Sequence, residues 1–94
     1  MNDVPGQRSP PPPVRDRLVR LVGQILGKPD SAATLPVEGR LSDLGMSSIK
    51  MVNLMLAVEV EFDVSIPQQD ITPDNFRSVA SVEALVARLL ALKP

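Results

Sequence analysis

Asp43-Leu44-Gly45-Met46-Ser47-Ser48-Ile49 is the stretch whose reading decides the fold of this chain. A turn-forming glycine is followed by two serines, and then by an apolar segment that closes on Phe62-Asp63-Val64-Ser65-Ile66-Pro67. Serine is a preferred helix N-cap, because its hydroxyl accepts from a backbone N–H two or three residues later. Ser47 in that role puts Ser48 at the first helical position, with its hydroxyl toward solvent. The unpaired N–H groups and positive dipole end of a helix start favour an attached phosphate, by roughly 0.3–1 kcal/mol at an exposed site. Spacing alone makes the serine pair a capping signal and nothing more specific.

Working outward, a helix runs from Ser47 or Ser48 to Phe62. Its apolar residues (Ile49, Met51, Val52, Leu54, Met55, Leu56, Val58, Val60 and Phe62) cover more than one face. Such a helix is either buried centrally or offers part of its surface to a partner. Upstream, Val14, Leu18, Leu21, Val22 and Ile25 recur at intervals of three and four, which predicts a first helix ended by Gly27 and Pro29. The long connection from Lys28 to Ser47 should be pinned to the core by Leu41 and Leu44. Downstream, Thr72-Pro73 opens a short helix or turn reaching Phe76. A last helix, capped by Ser78, runs to about Leu92 on an inner stripe of Val79, Val82, Leu85, Val86, Leu89 and Leu90. The predicted fold class is all-α: a bundle of three long helices plus one short helix, with a long loop between helices 1 and 2. Residues 1–13, with prolines at 5 and 10–13, read as a disordered Pro-rich tail, and residues 14–94 as the folded domain.

Composition narrows the chemistry. The 94 residues include no Cys, His, Tyr or Trp. Disulfides, thiolate metal sites, cysteine nucleophiles and histidine acid–base catalysis are therefore excluded together. The charge is uneven: residues 1–28 carry five basic and two acidic side chains, residues 29–94 five basic and nine acidic. An acidic functional half argues against nucleic-acid binding and suits docking to basic patches on proteins. Glu59, Glu61 and Asp63 lack any nearby nucleophile and read as a solvated helix end, not a catalytic group. The methionines at 46, 51 and 55 fit either ordinary packing or an adaptable contact surface. No apolar segment has the length of a membrane span, and the opening residues lack a signal-type apolar region, so a cytoplasmic monomer is expected.

The span from about Leu41 to Leu85 resembles the acyl carrier protein superfamily, which includes peptidyl carrier domains. That family's signature is Asp-Leu-Gly-x-Asp-Ser-Leu followed, without a gap here, by Glu-Phe-Asp-Ile-x-Ile-Pro. The matching residues are Asp43 to Ile49 and Glu61 to Pro67. The resemblance implies that Ser48 receives 4′-phosphopantetheine from coenzyme A through a phosphopantetheinyl transferase, with Gly45 and Ser47 shaping the attachment site. It implies a non-catalytic carrier whose arm holds acyl groups as thioesters for a loading ligase and downstream transferases. It further implies partner-facing residues along the second helix, at Ile49, Val52, Asn53, Leu56, Glu59 and Val60. Periodicity leaves open whether Ile49, Val52 and Leu56 belong to the core instead.

Three departures from the family pattern bear on specificity. Ser47 replaces the usual aspartate, Lys50 and Asn53 stand where acidic residues are frequent, and the segment from Pro67 to Phe76 is longer by about two residues. The acidic face is retained only at Glu59, Glu61 and Asp63. These departures favour a specialised lipid or secondary-metabolite carrier. An aminoacyl carrier loaded by an amino acid ligase is the alternative, since free-standing aminoacyl carriers also have Gly-x-Ser-Ser. An unmodified helical interaction module is the reading from another class.

Overall fold

The computed structural model describes residues 13–27 and 35–93. Three α-helices carry the fold: α1 (Val14–Ile25), α2 (Ser48–Phe62) and α3 (Val79–Ala91). Tight 3-10 turns at Leu41–Leu44 and Gln68–Asp70 lie in the two connections. Among the described residues there is no strand. Of the segment read as a disordered tail, only Pro13 is described, directly ahead of α1; residues 1–12 lie outside the described residues, as does Pro29.

Each helix is set by local signals. Ser47 caps α2 by accepting from the Lys50 N–H at 3.2 Å, and Ser78 caps α3 by accepting from the Ser81 N–H at 3.1 Å. Gly27 follows α1 at φ 76°, a left-handed conformation that glycine adopts without steric cost. α2 ends on Asp63, also left-handed at φ 53°. Lys93 holds that end by donating to the Asp63 carbonyl oxygen at 2.7 Å.

The core forms where the three inner stripes meet. Leu18, Val22, Leu54, Val58, Val79, Val82, Leu85 and Val86 are fully enclosed, and Phe62 and Phe76 are buried with them. α1 contacts both other helices, while α2 and α3 touch each other least. Leu41 is fully buried and Leu44 packs against the core, so both pin the long connection as their spacing predicts.

Of the short helix or turn expected after Thr72, the structure has the turn. Pro73–Phe76 forms turns and not a short helix. Thr72 Oγ1 accepts from the Asn75 N–H at 3.2 Å, and the Asn75 side chain donates to the Asp70 carbonyl oxygen at 2.8 Å. These side-chain bonds give the backbone an alternative to a helical ladder. Among the described residues the architecture is thus three helices with 3-10 turns.

Candidate functional site

The loop before α2 is built from its backbone. The Leu41 N–H donates to the Arg77 carbonyl oxygen at 2.8 Å, the Met46 N–H returns to the Leu41 carbonyl oxygen at 3.0 Å, and Met46 is buried. Met46 therefore anchors the loop and is not a contact residue; Met51 and Met55 are partly buried against the core. Gly45 turns the chain between them at φ 100°. A β-carbon there would meet only Leu26, at 3.9 Å, so conformation and not space requires the glycine. Gly45→Ala is expected to lower stability by about 1–2 kcal/mol, the usual cost of a left-handed residue with a side chain. Thermal unfolding read by circular dichroism checks this.

Ser47 and Ser48 divide the work as the N-cap reading requires. Ser47 Oγ holds the Lys50 N–H, and its carbonyl oxygen accepts from the Met51 N–H at 2.8 Å. Ser48 is the first residue of α2 and is exposed. The Ser48 and Ile49 N–H groups have no acceptor among the described residues. Free donors and the positive end of a helix favour an anionic group held at its first turn. No acidic residue stands in the first turn of α2 to oppose an anion there.

The outer face of α2 settles what periodicity leaves open. Ile49, Val52, Leu56 and Val60 are 76%, 52%, 56% and 83% exposed, so none of them is core. Their spacing of three, four and four places them on one stripe that starts beside Ser48. Asn53 is exposed as well.

The acidic end differs from the open docking face expected of it. Glu59 turns inward, its carboxylate accepting from the Ile66 N–H at 2.8 Å and fixing the chain after α2. Glu61 pairs with Arg17 at 2.8 Å, and Arg17 also donates to the Glu61 carbonyl oxygen while its guanidinium lies 4.3 Å from the Phe62 ring centre. The Asp63 carboxylate remains exposed, 3.4 Å from Lys93. Folding thus engages Glu59 and Glu61, and what is left open along α2 is chiefly apolar. Glu59→Ala removes a charge-assisted bond and should cost about 1.5–3 kcal/mol, read from the urea unfolding midpoint.

The arrangement defines a small helical scaffold that offers an open hydroxyl at a helix start beside an exposed apolar stripe. Among the described residues no cluster of His, Cys, Asp or Glu suits a metal ion. None of their helices is long and apolar enough to cross a membrane. The sequence pattern described as the phosphopantetheine attachment site matches residues 16–89, and the chain belongs to that family. Its prosthetic group is 4′-phosphopantetheine, which fits an exposed hydroxyl flanked by free N–H donors.

The chain is 49% identical over 73 residues to aminoacyl carrier protein 1 of Bradyrhizobium diazoefficiens, covering 78% of this chain and 81% of that one. Aminoacyl carrier protein 2 of the same organism is 44% identical over 77 residues, covering 82% and 86%. A crystal structure of the Bradyrhizobium japonicum glycine:[carrier protein] ligase complexed with glycylated carrier protein matches with a TM-score of 0.63 at 49% identity, covering 77% of this chain and 97% of that chain. The fold also matches a holo acyl carrier protein of Nitrosomonas europaea, with a TM-score of 0.74 at 23% identity over 82% and 95% of the two chains.

Proposed function

We propose that this chain is an aminoacyl carrier protein. Ser48 bears the phosphopantetheine arm, and the arm's thiol holds an amino acid as a thioester placed there by an amino acid:[carrier protein] ligase. The chain performs no catalysis itself; the cofactor supplies the sulfur and partner enzymes supply the chemistry. The observation that carries the reading is the 49% identity to a carrier solved in its glycylated state with its ligase. It favours an amino acid over the lipid or secondary-metabolite cargo that the departures around Ser48 first favour. The loading ligase docks on the stripe Ile49, Val52, Leu56 and Val60, with Asn53 at its edge. Glu59 contributes indirectly, by holding the end of the helix that bears the stripe.

The test primes the protein with coenzyme A and a broad-specificity phosphopantetheinyl transferase. It then offers ATP, single amino acids and a glycine:[carrier protein] ligase, with fatty acids and an acyl ligase in a parallel reaction. A mass increase by one aminoacyl group is the expected result. Refusal of every amino acid together with acceptance of a fatty acyl group would return the assignment to the lipid reading.

A further inference from the structure

Beside the attachment loop lies a cleft of about 320 Å³ lined by Arg40, Ser42, Pro73, Phe76 and Arg77. Its two walls are the Leu41–Leu44 turn and the Pro73–Arg77 turns, joined by the bond from the Leu41 N–H to the Arg77 carbonyl oxygen. Met46, two residues before Ser48, is hydrogen-bonded to the same Leu41. The cleft therefore shares its backbone framework with the modified serine.

Two arginines line the cleft, and no carboxylate is among its lining residues. Arg77 pairs with Asp74, whereas Arg40 has no carboxylate partner among the described residues. The lining is mixed. Arg40, Arg77 and the Ser42 hydroxyl offer donors, while Pro73 offers apolar wall and the largely buried Phe76 backs it. An inorganic phosphate would use only the donors. A glutamate side chain would use both, its methylenes against Pro73 and its carboxylate on the planar fork of Arg40.

We propose that this cleft receives a carboxylate side chain, of glutamate in the best fit, from the enzyme that loads the arm. It is a second docking point, polar where the α2 stripe is apolar, and it orients the partner about Ser48. The proposal rests on the ligase reading above, so its test has an arm that needs no ligase. N-acetyl-L-glutamate is titrated into the full chain while backbone amide resonances are followed, with N-acetyl-L-glutamine and inorganic phosphate in parallel. Saturable shifts confined to residues 40–44 and 73–77 are expected with the glutamate derivative alone. Arg40→Gln should weaken them at least fivefold, and Arg40→Lys should fall between.

In ligase kinetics Arg40→Gln should raise KM for the carrier about tenfold with kcat unchanged, and the gap should narrow as salt rises. Equal shifts with N-acetyl-L-glutamine, equal or stronger binding of phosphate, or an unchanged KM would each overturn the proposal. Should the wild-type chain refuse every ligase, the ligase reading fails. The titration still decides whether the cleft selects a carboxylate, which keeps the two failures apart.

Discussion

Ser48→Ala is expected to abolish the mass gain of one phosphopantetheine when the protein is incubated with coenzyme A and a transferase. Ser47→Ala should still be modified. The reason is positional: Ser48 is exposed at the first position of α2, whereas the Ser47 hydroxyl is held by the Lys50 N–H. Ser47→Ala has its own signature, because losing an N-cap costs about 1 kcal/mol. In a domain of this size that lowers Tm by roughly 4–8 °C. Intact-mass spectrometry and thermal melts on the two variants therefore separate attachment from capping. Modification persisting in Ser48→Ala would move the site to the neighbouring serine and overturn the assignment.

The second large effect falls on the stripe. Leu56→Asp places a charge in the middle of the exposed apolar row on α2. A central interface residue of this kind contributes about 2 kcal/mol or more, equivalent to a roughly 30-fold loss in loading efficiency. The loss should appear in KM for the carrier and persist in high salt, in contrast to the Arg40 effect. Folding should be little affected, since substitutions at exposed sites usually change stability by no more than about 0.5 kcal/mol. Steady-state loading measured beside urea unfolding distinguishes the two. An unchanged KM would remove the stripe from the docking surface.

The elements were legible in the sequence wherever the deciding signal is local. Ser47 and Ser78 mark the starts of α2 and α3 because a cap uses its own hydroxyl and a backbone N–H three residues away. The inner stripes of α1 and α3 are readable because each helix is apolar on one side only. α2 is apolar around much of its circumference, so its periodicity has no clear phase. The exposure of Ile49, Val52, Leu56 and Val60 emerges only once α1 and α3 have covered the other faces.

Partnerships across the fold are hidden in the same way. Arg17 meets Glu61 across 44 positions of sequence, and nothing in either segment announces the pair. The inward turn of Glu59 depends on where the chain after α2 folds back, which is a tertiary outcome. The cleft joins Arg40 to Arg77 through one backbone bond between distant loops. Thr72 and Asn75 are of types that readily bond nearby backbone, and that tendency is the sign in the sequence of the turns at Pro73–Phe76.

The loop ahead of Ser48 takes its shape from residues much later in the chain. Leu41 depends on Arg77, and Val37, whose carbonyl oxygen accepts from the Ala80 N–H at 3.0 Å, depends on the first turn of α3. A copy still emerging from the ribosome with fewer than about 80 residues has the serine but no stage for it. The shape of the loop is thus set only once the first turn of α3 is in place.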